Sequence, residues 1–266
     1  MMTKNNLSVS LTPEIRLIQA LIEAGVSDVT TVEKLTVAGD VSEDDFEFIR
    51  DMMGNTLQEL DLSNASIIRI PDWAFEHCVA LKSVILPNIL KIIDKESFYC
   101  CSGLVSVNIP NSVIKIEKEA FFSCSALTEI VIPESMIMIG DYAFWVCRGL
   151  TSVTIPASLT KIGKDIFRQC SRLTEITVHP DNPVFTSQNG VLFSKDMTEL
   201  IAYPQGKQGD YVIPDSVIII RASAFNFCAG LTSVVIPNKT LKIGDGAFSE
   251  CAGLTSVIIP DSVVSI

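Results

Sequence analysis

Eight cysteines and two histidines are the residues of this 266-residue chain whose chemistry invites a site. A zinc site needs Cys or His ligands paired about two to four residues apart. Here Cys78, Cys101, Cys124, Cys147 and Cys170 follow one another at a constant spacing of 23, as do Cys228 and Cys251. His77 and His179 form no H-x-x-x-H pair. No metal and no cofactor is expected. Equivalent cysteines of stacked units would have Cα atoms about 5 Å apart, within reach of a disulfide, but parallel Cβ atoms would stay about 5 Å apart, beyond the usual 3.5–4.5 Å. The column is therefore read as reduced, small, apolar core. Cys100 alone is out of register, an exposed thiol. Neither histidine has a nucleophile beside it in sequence, so both are read as surface or structural. Gly206-Lys207-Gln208-Gly209 lacks the spacing of a phosphate loop. No enzyme activity is expected.

The spacing that removes these chemistries defines the architecture. Leu81, Leu104, Leu127, Leu150 and Leu173 step by 23, and so do Leu231 and Leu254. The gap from Leu173 to Leu231 spans one regular unit and one carrying a 12-residue insertion, with Gln208 in the leading place. In the unit from Leu150, Val153 and Ile155 continue a short strand with one buried face, and Pro156 ends it because proline cannot donate to a ladder. Ile162 and its equivalents lie on a second extended segment; Gly140, Gly163 and Gly244 follow, where a turn calls for positive φ. Ala-Phe-x-x-Cys is read as one helical turn with Phe and Cys on one face. Seven of the 13 Phe and seven of the eight Cys fall into these two columns. A single unit cannot bury its apolar face, but stacked units bury a continuous core. The expected fold is an α/β repeat solenoid with a parallel concave sheet and short helical turns on the other side.

Residues 1–56 do not repeat and are read as an N-terminal cap; residues 57–266 are the solenoid. Thr12-Pro13-Glu14 predicts a helix start and Gly25 its stop. Lys34–Ala38 reads as a strand, and Ser42 with Asp45 as the capping box of a helix through Met53. Near 180–207, Asn189-Gly190 between Val184-Phe185-Thr186 and Val191-Leu192-Phe193 predicts a hairpin projecting from the stack. Ile266 is the core Ile of a unit whose Phe and Cys have not yet come, so the solenoid is expected to continue as Gly-x-x-Ala-Phe-x-x-Cys.

Net charge is −11, with no cluster of Lys and Arg, which makes nucleic acid a poor partner. No apolar run approaches the roughly 20 residues of a spanning helix. Met1-Met2-Thr3-Lys4-Asn5-Asn6 lacks the apolar core of a signal peptide, so the chain is either cytosolic or without its leader.

The repeat, Leu-Thr-Ser-Val-x-Ile-Pro-x-Ser-Val-x-x-Ile-Gly-x-x-Ala-Phe-x-x-Cys, resembles that of the BspA-like, Treponema-type leucine-rich-repeat surface antigens. So do Asn182-Pro183, Asn189 to Phe193 and Thr198 to Pro204 in the insertion, and Leu35 to Phe46 and Leu60 to Ile67 in the lead-in. The resemblance covers about residues 34–266. It implies a leucine-rich-repeat solenoid, secreted or attached to the cell surface, largely in host-associated bacteria, acting in adhesion to host proteins and cell–cell contact. It carries over no catalytic residues.

Two surfaces are candidates for binding a protein or glycoprotein. The residue after the core Phe is Tyr99, Phe122 and Trp145 in three consecutive repeats, then Arg168, a stripe of types enriched at binding hot spots. On the concave sheet, outward positions include Glu129, Thr154, Glu175 and Thr177, a face with no aromatic residue. The expected function is a non-enzymatic adhesion module. The alternative is an intracellular structural or protein-interaction scaffold; a leader and anchor in the full gene would favour the first, their true absence the second.

Overall fold

The structure is a computed structural model and describes residues 6–266. The stretch 1–5, read above for its lack of an apolar core, lies outside the described residues. Each repeat closes one coil, and three lines of main-chain hydrogen bonds run from coil to coil.

The concave line is a parallel sheet. Glu59–Asp61, Ser83–Ile85 and Ser106–Asn108 pair in register through Leu60, Val84 and Val107. Ser152–Ile155 pairs with Glu175–Val178, and Gly209–Val212 with Leu231–Val235. Leu150, Val153 and Ile155 point inward, while Ser152 and Thr154 face solvent, as the two-residue period of a strand requires. The proline that ends each strand starts the next turn: the carbonyls of Pro87 and Pro110 each accept a bond at 3.0 Å, from Leu90 N and Val113 N.

The second line is a ladder of two-residue strands, Arg69–Ile70, Ile92–Ile93, Lys115–Ile116, Met138–Ile139 and Lys161–Ile162, all parallel. The glycines after it do not adopt positive φ. They admit the neighbouring coil: a Cβ on Gly140 would stand 2.6 Å from Lys118 N, and one on Gly163 2.3 Å from Asp141 N.

The third line corrects the expectation of a helical turn. Ala-Phe-x-x-Cys is a run of tight turns. The residues two before and two after the core Phe sit at positive φ, as at Glu96 (56°) and Cys100 (58°) or Tyr142 (59°) and Val146 (64°). The Phe-x-x-Cys spacing also fits a three-residue turn, closed by Cys101 N to Phe98 O at 3.2 Å. Left-handed geometry costs a non-glycine residue about 1–2 kcal/mol, but it aims alternate N–H groups at the next coil. Glu96 N, Phe98 N and Cys100 N donate to Lys118 O, Ala120 O and Phe122 O at 3.1, 2.8 and 2.8 Å.

Inside, the phenylalanines stack. Phe75, Phe98, Phe121 and Phe144 follow one another with ring centroids 5.0–5.4 Å apart. The seven column cysteines are buried and free. Their thiols have a job the sequence reading missed: Cys101 Sγ donates to Phe75 O at 2.9 Å and Cys147 Sγ to Phe121 O at 3.1 Å, each reaching the carbonyl of the preceding coil.

At the N-terminal end, strands Asn6–Leu11 and Lys34–Gly39 extend the concave sheet. The first was not foreseen, although Leu7, Val9 and Leu11 alternate inward. The helix expected from Pro13 begins later, at Leu17. Thr12 Oγ1 instead accepts from Glu14 N and Ile15 N in a turn, and Leu17 N is capped at 2.8 Å by Asp45 of the next helix. Asp45 is buried and also completes the capping box with Ser42 at the head of helix Glu43–Phe48, which continues as a π-helical turn Ile49–Met53.

The insertion contains the expected hairpin, Phe185–Gln188 against Val191–Ser194, with Asn189 and Gly190 both at positive φ in the turn. It does not project. Val191, Leu192 and Phe193 are fully buried, as three successive apolar residues must be when both strand faces are covered. Asn182, also buried, pins its entry: Nδ2 donates to Pro156 O and Leu159 O, and Oδ1 accepts from Val184 N and Phe185 N. Beyond the hairpin the coil resumes earlier than expected. Glu199–Ala202 pairs with Ile219–Ile220, and Tyr203 stacks 5.0 Å from Phe225 in the phenylalanine column. Gln208 is exposed, and Gly209 takes the pairing with Leu231 through a bulge.

The wedge divides the buried core into two clusters. Phe185 and Leu192 belong to the first, Val191 and Phe193 to the second. The hairpin thus staples two halves of the solenoid.

Two stability measurements check this packing. Phe144, fully buried between Phe121 and Phe167, should cost about 3–5 kcal/mol when replaced by Ala, read by urea denaturation; a loss below about 1 kcal/mol would contradict the stack. Burial also pushes the Cys78 and Cys170 thiols up to about 12 from an ordinary 9.0. Above about pH 9 the unfolded chain loses these protons while the folded one keeps them, so stability should be intact below pH 9 and fall as pH rises toward 12. Replacing Cys78 and Cys170 with Ala should flatten that slope; an unchanged slope would show that other groups set it.

Candidate functional site

The turn side carries the predicted stripe. Because each coil bonds to the next at the same turn positions, the residue after the core Phe recurs in line along the stack. Tyr99 and Phe122 stack face to face at 4.7 Å with planes 6° apart, and Phe122 meets Trp145 edge-on at 5.1 Å. The Arg168 guanidinium lies over the Trp145 ring at 5.0 Å, in cation–π geometry. All four side chains are partly exposed, so each coil presents one of them to solvent. The Trp145 indole nitrogen is buried without an acceptor, so that edge of the ring is turned toward the solenoid.

Three further rings join the stripe that the column alone did not reveal. His77 packs 5.9 Å from Tyr99, Tyr142 packs 5.2 Å from Trp145, and Phe227 lies 5.6 Å from the Arg168 guanidinium. His77 and Phe227 come two after their core Phe, at the left-handed position, and Tyr142 two before its own. A period-based search of all turn positions, rather than one, finds them. Asn226 occupies the same place as Tyr99 in its own repeat but is buried and adds nothing to the surface.

The concave candidates are a separate surface. Glu129, Thr154 and Glu175 are exposed and Thr177 partly so. Thr154 and Thr177 share a hydroxyl hydrogen bond of 2.9 Å across neighbouring strands. The outward column is more apolar than polar at several coils: Val131, Val212 and Val235 are 72%, 68% and 55% exposed.

His179 Nδ1 accepts from Asp181 N at 3.2 Å in a local turn. Among the described residues no group of His, Cys, Asp and Glu could hold a metal ion, and no helix is long and apolar enough to cross a membrane.

Solved structures of bacterial leucine-rich-repeat proteins share this architecture. A leucine-rich-repeat protein from Eubacterium ventriosum is 25% identical with a TM-score of 0.74, over 86% of this chain and 61% of its own. A leucine-rich cell surface protein from Faecalibacterium prausnitzii is 28% identical with a TM-score of 0.64, over 86% and 65%. The pneumococcal vaccine antigen PcpA is 25% identical with a TM-score of 0.59, over 78% and 57%. The chain thus spans less than two-thirds of the length of each of these proteins. Comparison with curated protein sequences gives no match. The model of the BspA-type leucine-rich-repeat region matches six copies over residues 52–194 and 202–266, most of the sequence, and the chain belongs to that family.

Proposed function

We propose that this chain is the ligand-binding solenoid of a secreted or surface-attached bacterial adhesion protein, and that it holds a protein or glycoprotein partner along Tyr99, Phe122, Trp145 and Arg168. Residues 1–56 serve as the cap that closes the end of the core, and residues 57–266 present the binding surface. The role is non-enzymatic. The observation that carries this reading is the unbroken line of partly exposed rings ending in a guanidinium already stacked on Trp145. Rings held against one another lose little freedom when a partner covers them, which favours tight binding per residue. Surface location is supported by the likeness to the Faecalibacterium cell surface protein. An intracellular scaffold is the competing role, and a full-length gene without leader or anchor is the finding that would favour it.

A second surface is favoured by one specific observation, the exposed valines of the concave face beside Thr154, Thr177, Glu129 and Glu175. Replacing Tyr99, Phe122 and Trp145 together with Ser separates the two. Labelled protein applied to intact epithelial cells and read by flow cytometry should lose binding worth about 2 kcal/mol or more. The melting temperature should fall much less than for Phe144→Ala. Normal binding with a far lower melting temperature would make the stripe peripheral core and leave the concave face as the binding surface.

A further inference from the structure

Between the Phe75 and Phe225 coils the turn-side ladder is interrupted at one level. In the coils before it, the residues two before, at, and two after the core Phe donate their N–H groups to the next coil; the last such set is Tyr142, Phe144 and Val146, bonded to Lys164 O, Ile166 O and Arg168 O. The next set, Asp165, Phe167 and Gln169, has the same left-handed geometry, with φ of 50° at Asp165 and 58° at Gln169. Its N–H groups have no hydrogen-bond partner among the described residues. After the hairpin the ladder resumes, with Tyr203 N on Ala224 O and the Gln205 side-chain amide on Asn226 O at 2.7 Å. The phenylalanine stack skips at the same level, and a cavity of about 460 Å³ opens there. Ile166, Phe167, Leu192, Ile201 and Tyr203 line it.

Gln205 also lines this cleft and is 8% exposed. Its Nε2 is committed to Asn226, while its Oε1 is buried with no donor. A buried acceptor without a partner is costly. Strained backbone that elsewhere is offset by an inter-coil bond is here left without one. Near the cleft, Ser223 Oγ reaches Asp165 at 3.4 Å and the Arg168 guanidinium lies 5.6 Å from the Phe227 ring.

We propose that this cleft binds an extended peptide segment of a partner protein, which takes the place of the missing ladder partner. Its alternate carbonyls accept from Asp165, Phe167 and Gln169, one of its N–H groups satisfies Gln205 Oε1, and one apolar side chain enters the cavity. Three donors on alternate residues match a peptide backbone and not a compact anion, which would need them to converge. The cavity, about 460 Å³, takes a few side chains and not a length of folded chain, so the main chain lies along the mouth. This is main-chain recognition at an open ladder edge, as in β-augmentation, and it does not depend on the aromatic stripe.

The probe is an acetylated, amidated synthetic peptide copying residues 116–124, the segment that fills this place in an intact pair of coils. It is titrated into the whole chain labelled with ¹⁵N. The amide resonances of Asp165, Phe167 and Gln169 should move downfield in a saturable manner, while those of Phe98 and Phe121 stay fixed. Ala222→Trp, an exposed position on the cleft rim, should reduce the peptide's affinity about tenfold or more, the effect of losing one well-placed contact region, and should leave the melting temperature unchanged. Gln205→Leu should weaken binding without filling the cavity. No movement of the three amides at millimolar peptide, or equal affinity in Ala222→Trp, would overturn the proposal. So would saturable occupation of the cleft by an anilinonaphthalene dye with no response to peptide, which would mark a small-molecule pocket.

Discussion

Everything in this molecule depends on the fact that no coil can satisfy itself. A unit of 23 residues exposes one apolar face to each side, and alternate N–H groups on its turn side point toward its neighbour. Stacking meets both demands at once: Phe rings settle on Phe rings, and alternate amides find the carbonyls of the next coil. The left-handed residues that look unfavourable in isolation exist because they direct those amides along the stack. Cysteine suits its column for a related reason. It is small and apolar enough for the core, and its thiol reaches the carbonyl of the preceding Phe.

The insertion shows what happens when the period is interrupted. Rather than looping outward, the hairpin buries its Val-Leu-Phe strand between two core clusters and sets the coils beside it out of step. The concave and phenylalanine columns recover within one coil through Tyr203 and the bulge at Gly209. The turn-side bonds of Asp165, Phe167 and Gln169 do not recover. The same stretch places Arg168 on Trp145, so the end of the aromatic stripe and the open edge lie side by side.

Much of this was legible because a repeat states its contacts many times. The columns of Leu, Ile, Phe and Cys, the strand ended by proline and the Asn-Gly hairpin turn were readable from spacing and residue type, and the aromatic stripe from the column after Phe. What was not legible has physical causes. Residues three apart share a face in a helix and also close a tight turn, so Phe-x-x-Cys could not choose between them. Glycines after the Ile column answer a close approach between coils, which is a relation between units and leaves no signature within one. The inward packing of the hairpin was present in the three consecutive apolar residues Val191, Leu192 and Phe193, and the first strand in the alternation of Leu7, Val9 and Leu11. The helix start at Leu17 depends on Asp45, a partner 28 residues away that local capping rules do not consider.

Residue-resolved native hydrogen exchange tests the central claim, that an inter-coil main-chain ladder holds the solenoid and is interrupted between the Phe75 and Phe225 coils at the level of Asp165, Phe167 and Gln169. The amides of Phe98, Phe121, Phe144 and Phe225 should exchange only through large-scale unfolding, and those of Asp165, Phe167 and Gln169 far faster. Equal protection of all seven amides would mean that the coils pass the hairpin without a break. Fast exchange at all of them would mean that side-chain stacking alone, and not the ladder, holds the coils together.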